Sequence, residues 1–116
     1  MRHHESDLQS ACVSWFRWQH PTLAPLLFAV PNGGHRSKVT AAILKREGAT
    51  AGVADLILLT PGTGVHALCI EMKTPEGRQT PTQRDWQSAA EAAGNRYVVC
   101  RTLEEFIAAI NTHLHG

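Results

Sequence analysis

A chain of 116 residues is one domain's worth of polypeptide, able to bury a core without disulfide or metal staples. Its apolar and charged fractions are those of a soluble globule, and a formal charge of +1 leaves no global basic field to announce nucleic acid. Basic residues gather locally instead, with His35, Arg36, Lys38, Lys45 and Arg46 in one stretch and Arg78 and Arg84 flanking another.

The first predicted element is a helix over about residues 5–19. Leu8, Cys12, Trp15 and Phe16 recur at i, i+4, i+7 and i+8 as a single apolar stripe. Glu5 lies three residues before Leu8 and prolongs that stripe. A first-turn Glu is favoured by the helix dipole alone; the functional alternative is a carboxylate aimed inward. His20-Pro21 ends the helix. A short strand over 26–30 stops at the turn Pro31-Asn32-Gly33-Gly34. Ser37 is placed to cap a second helix over 38–47, closed by Gly48. Arg36 and Lys38 beside a glycine-rich turn suit phosphate contacts or a solvated loop.

The most informative stretch follows. Two apolar runs, residues 54–60 and 66–73, are joined by Pro61-Gly62-Thr63-Gly64 and read as a hairpin. Asp55 opens the first run, and Glu71 and Lys73 close the second. Being two apart on a strand, Glu71 and Lys73 leave the same face. Pairing of the runs brings Asp55 opposite the end of its partner. An isolated Glu-x-Lys pair is usually a solvated cross-strand interaction. Here the run Ala67-Leu68-Cys69-Ile70-Glu71-Met72 is almost wholly apolar, as in a strand covered on both faces. A carboxylate in that setting is costly unless paired or metal-bound. Two carboxylates and an ammonium at one sheet edge suit Mg²⁺ or Mn²⁺ and a phosphate or an activated water, the layout of a metal-dependent phosphodiesterase.

Beyond Lys73, Thr80 as N-cap, Pro81 at N1 and Gln83 at N3 form a capping box. They open a third helix with Trp86, Ala89, Ala90 and Ala93 expected on its inward face. Gln83, three before Trp86, shares that face near the helix start. Arg96–Cys100 is the last strand. Thr102 and Glu105 make a second capping box for a final helix carrying Leu103, Phe106, Ile107, Ile110 and Leu114. The order α-β-α-β-β-α-β-α implies a mixed sheet with helices on both faces, an α/β fold of three α/β/α layers.

Cys12, Cys69 and Cys100 are scattered, odd in number and without C-x-x-C spacing, so buried thiols in a reducing compartment are expected. The seven histidines lack the i, i+4 spacing of a zinc helix. No signal peptide or membrane span is legible, and an intracellular, cytoplasmic protein without a membrane partner is expected.

Taken together, Glu5-Ser6, Pro31-Asn32-Gly33-Gly34, Gly48…Gly52-Val53-Ala54-Asp55, Ile70-Glu71-Met72-Lys73 and Gly77…Gln83…Trp86 resemble the PD-(D/E)XK nuclease superfamily. Within it they resemble the VRR-NUC branch, over roughly residues 5–110 of what then reads as one domain spanning 1–116. One departure is Ala54, where the superfamily often has Pro; that position shapes backbone and carries no ligand. The resemblance implies a restriction-endonuclease-like fold and in-line hydrolysis of a phosphodiester. It implies Asp55, Glu71 and the Met72 backbone carbonyl as ligands of Mg²⁺ or Mn²⁺, with Glu5 adding a carboxylate directly or through water. Lys73 would orient the attacking water and steady charge on the phosphate, and Gln83 would help position that water or Lys73. Asn32, Arg36, Lys38 and Arg78 would contact DNA. Short stand-alone members in bacteria and phages look like homodimers acting on branched DNA such as four-way junctions, so the same is expected here. Two other readings stay open: a restriction-type nuclease, and a non-catalytic nucleic-acid-binding module on a nuclease fold.

Overall fold

The computed structural model describes residues 2–31 and 37–116, with side chains described from His4 onward. Asn32 and Arg36, two of the expected DNA contacts, lie outside the described residues, as does most of the turn that carries Asn32. The elements are α1 (Arg2–Gln19), a 3₁₀ turn (Ala24–Leu26), β1 (Leu27–Ala29), α2 (Lys38–Arg46), β2 (Leu56–Leu58), β3 (Leu68–Met72), α3 (Pro81–Ala92), β4 (Arg96–Cys100) and α4 (Leu103–His115). The order is the expected one, with the 3₁₀ turn added and the first three strands shorter than their apolar runs.

The sheet runs β1-β2-β3-β4, with β1–β2 and β2–β3 antiparallel and β3–β4 parallel. A parallel neighbour needs a crossover, and α3 supplies it. Side chains alternate along β3, so the strand feeds two separate cores. Leu68, Ile70 and Met72 pack with Leu56, Leu58 and Leu27 beneath Cys12 and Phe16 of α1 and Phe106 and Ile110 of α4. On the other face Cys69 packs with Tyr97, Ala54 and Ala90 of α3, with Ile57, Trp86 and Val99 alongside. All five β3 residues are buried, as a strand covered on both faces requires.

Caps define most of the helix starts. Ser37 Oγ accepts from the Thr40 amide at 3.0 Å, and Thr80 Oγ1 from the Gln83 amide at 3.1 Å. The box expected at α4 is displaced by one residue. Thr102 Oγ1 does accept from the Glu105 amide, but Glu105 Oε1 takes the N–H of Arg101, at 2.7 Å, rather than that of Thr102. The inward face of α3 is also rotated from the expected one. Ala90 is buried and Trp86 half-buried, whereas Ala89 and Ala93 are exposed. The inward side runs through Gln83, Trp86, Gln87 and Ala90, while Ala89 and Ala93, each three residues on from Trp86 and Ala90, lie at its exposed edge.

The three thiols are buried and unpaired. Burial pushes Cys12 to about 12 and Cys100 to about 11, so they behave as small apolar groups. His113 is buried in α4, with its Nε2 2.6 Å from the Thr60 carbonyl oxygen, and it ties that helix to the hairpin turn. Among the described residues no helix is long and apolar enough to cross a membrane.

Candidate active site

The site grows from the β2–β3 register. Leu56 pairs with Ile70, so one step further along puts Asp55 across from Glu71, on the sheet face that α3 covers. Asp55 is fixed twice through its neighbours. Its carbonyl accepts from the Val30 amide at 2.8 Å, and its Oδ2 accepts from the Met72 amide at 2.8 Å. Approach of the preceding loop to α3 demands glycine. Gly52 has φ of +84°, and a Cβ there would lie 2.5 Å from the Thr82 carbonyl oxygen. That close contact seats the Asp55 loop against the first turn of α3, the turn that carries Gln83.

Glu71 sits at the centre, 2% exposed. Its Oε2 accepts from Gln83 Nε2 at 3.0 Å and lies 3.7 Å from Lys73 Nζ. Lys73 stays in register after the strand ends, because its amide donates to the Cys100 carbonyl at 3.1 Å. The other Glu71 oxygen, Oε1, is buried without a donor. The Glu71 and Asp55 carboxyls interact directly, and that contact becomes a hydrogen bond only when one of the two carries a proton.

Electrostatics at Glu71 decide against a simple ion pair. Burial, then the Asp55 charge, drive its pKa up to about 8 against the opposing pull of Lys73. The hydrogen bond with Asp55 and the charge of Glu5 push the same way. One ammonium does not offset desolvation plus two carboxylates. Glu5, half-buried in the first turn of α1, lies within electrostatic range of Glu71 although α1 otherwise packs on the opposite layer.

These residues suit a hard divalent cation. The oxygens belong to two carboxylates in contact, one oxygen is buried and donorless, and a third carboxylate stands within electrostatic range. Among the described residues no three His, Cys, Asp or Glu side chains form a ready cage. Mg²⁺ does not need one, since it keeps several waters and binds through one or two carboxylates plus substrate oxygens. Lys38 and Arg78 are both exposed. Lys38 opens α2, well apart in sequence from the Glu71 cluster, whereas Arg78 lies on the loop that leaves Lys73.

Comparison with known proteins decides the family. The VRR-NUC domain model matches residues 3–103, nearly the whole chain. The chain belongs to the VRR-NUC family. A solved structure of a VRR_NUC domain protein superposes with a TM-score of 0.80 at 26% identity, covering 94% of this chain and 86% of that one. No curated protein matches. The VRR-NUC fold and its mixed four-stranded sheet are thus shared with a solved relative, and a nuclease-type domain is the coarse reading that the family supports.

One residue in contact with the site region was missed in the sequence. Arg101, just after β4, donates from Nη1 to the carbonyls of Thr74 and Gly77 at 2.8 and 2.6 Å, and to Pro75 at 3.3 Å. Backbone acceptors in an irregular loop leave no residue-type signature, so no pattern in the chain could have pointed to it.

Proposed function

We propose that this VRR-NUC chain is a divalent-metal-dependent endonuclease that cleaves phosphodiester bonds in branched DNA and works as a homodimer. The observation that carries the reading is the pairing of buried Glu71 with half-buried Asp55, with Lys73 and Gln83 on the same Glu71 oxygen and Glu71 Oε1 lacking a donor. Such an arrangement is costly in a protein that merely binds DNA, because two carboxylates in one desolvated site repel each other. It becomes favourable once a cation is shared between them.

Asp55, Glu71 and the Met72 backbone carbonyl would hold Mg²⁺ or Mn²⁺, with Glu5 contributing directly or through water. When bound, the ion would supply Lewis-acid stabilisation of the charge that develops on the phosphoryl oxygens. Lys73 presents an ammonium beside Glu71, placed to orient the attacking water and to balance phosphate charge. Gln83 holds the Glu71 carboxylate in one orientation by donating to Oε2.

The test is a panel of flaps, forks, bubbles, four-way junctions and linear duplex, each with Mg²⁺, Mn²⁺ or chelator. Metal-dependent cutting that favours branched substrates is expected. Cleavage by Glu71→Ala at the wild-type rate would sink the mechanism.

A further inference from the structure

The segment between Lys73 and Thr80 has no regular structure, and it links two groups of the site. At one end it follows Lys73 directly; at the other it delivers Thr80 and Gln83 into α3. It also folds back on the lysine stem. A Cβ added at Gly77 would lie 3.0 Å from Thr74 Oγ1 and 3.4 Å from Lys73 Cδ, so the Gly77 backbone abuts that side chain. Little within the segment keeps it there. Its internal backbone bond among the described residues is the Gly77 amide to the Thr74 carbonyl, at 3.1 Å.

External anchors make up the difference. The Thr80 end is held by Arg84 Nη1 on the Gln79 carbonyl at 2.9 Å, and by Gln79 Nε2 donating to Tyr97 Oη and Gln87 Oε1. The Lys73 end is held by Arg101. Its guanidinium nitrogen gathers the Thr74, Pro75 and Gly77 carbonyls, and charge-assisted bonds of this kind are stronger than neutral ones. The root of Arg101 is itself fixed, because its backbone N–H donates to Glu105 Oε1. All three carbonyls converge on the one nitrogen Nη1, and a lysine ammonium, which sits one bond nearer its own Cα, does not reach that point from the same rooted backbone.

We propose that Arg101 is a positioning residue of the VRR-NUC site: by clamping the 74–77 turn against the Lys73 stem, it confines the lysine ammonium beside Glu71. Its effect on cleavage rests on the nuclease reading above; its effect on Lys73 does not. Arg101 does not touch the reacting atoms in this scheme and acts through Lys73. The rival role for an arginine here is a direct phosphate contact.

The experiment compares wild type, Arg101→Ala and Arg101→Lys as full chains with retained circular dichroism. The first readout is acetylation of Lys73 by an amine-reactive ester, followed by peptide mass spectrometry, with the exposed Lys38 and Lys45 as internal references. Arg101→Ala should acetylate Lys73 several-fold faster relative to those references, and Arg101→Lys should fall between. The second readout is cleavage: kcat should drop about 10-fold in Arg101→Ala with KM changed by no more than about 2-fold. Partial recovery is expected in Arg101→Lys. Unchanged Lys73 reactivity would overturn the proposal, as would a raised KM with normal kcat, the signature of a lost phosphate contact. Should Arg101→Ala fail to fold, Arg101→Lys decides by the same two readouts. A wild type inactive on every DNA and metal would remove the nuclease reading, and Lys73 reactivity alone would then decide the role of Arg101.

Discussion

Gln83 and Glu71 are joined through an amide whose orientation is set by a helix cap. Gln83 Oε1 accepts from the Thr80 N–H at 2.9 Å, which turns Nε2 toward Glu71 Oε2 at 3.0 Å. Were the amide flipped, its oxygen would face a carboxylate and the Thr80 N–H would lose its acceptor. The capping box therefore does two things at once: it starts α3, and it aims a donor at the most buried carboxylate of the site.

That double role separates stability from activity. Thr80→Ala removes the hydroxyl half of the cap and should cost about 1 kcal/mol while leaving the Gln83–Glu71 bond. Gln83→Ala should cost a similar amount but also reduce cleavage by about 10-fold or more, because Glu71 loses its fixed donor. Thermal melts beside nuclease assays distinguish them. Equal, near-normal turnover in both variants would make Gln83 a cap and nothing else.

Stability of the metal-free protein should fall as pH rises. Glu71 is raised from 4.5 to about 8 on folding, so between those values the folded state binds more protons than the unfolded one. The associated stability is complete below the unfolded value and is lost as pH climbs toward the folded one. Glu71→Gln mimics the protonated acid, so its melting temperature should vary less between pH 5 and about 9 than wild type in chelator. Cleavage should be absent in the same variant. An identical pH profile for both proteins would show that the charge at Glu71 carries no cost.

Metal and proton should compete at the same carboxylates. Because burial and Asp55 hold a proton on the Glu71 side of the pair below about 8, binding of Mn²⁺ or Mg²⁺ at neutral pH should release it, and affinity should rise with pH up to that range. Calorimetry in buffers of different ionisation enthalpy reads the proton directly. Binding at pH 7 without proton release would mean that the ion sits elsewhere, and that the Asp55–Glu71 pair is structural.

Much of this site is legible in the chain because strand alternation and capping have fixed periods. The hairpin turn between two apolar runs places Asp55 against Glu71, and a Glu two residues before a Lys shares its face. The position of Gln83 follows from the Thr80-Pro81 start of α3. What is not legible depends on backbone atoms or on one-residue shifts. Arg101 binds carbonyls, which every residue type offers. Glu105 reaches past Thr102 to the Arg101 N–H, a displacement too small to alter the Thr-x-x-Glu pattern. The alanines of α3 mislead for a related reason: a small apolar residue fits an exposed helix face as readily as a buried one, and only Ala90 is buried.

DNA binding should depend on local charge and on two copies of the chain. A net charge of +1 gives little general attraction to duplex, so affinity must come from patches such as Lys38 and Arg78. Arg78 is exposed on the loop that abuts Lys73, and Lys38 is exposed at the first turn of α2. Two sites related by a two-fold axis would double these contacts on a four-way junction but not on a short linear duplex. Reversal of both residues to Glu should weaken junction binding and flatten its salt dependence, while Mn²⁺ affinity stays near wild type because neither residue touches the Asp55–Glu71 pair. Light scattering should report a dimer at micromolar concentration. A monomer with equal affinity for junction and duplex would refute the branched-DNA reading, yet leave the proposal of metal-dependent phosphodiester chemistry at Glu71 standing, since that rests on the Asp55–Glu71 carboxylates rather than on the surface charge.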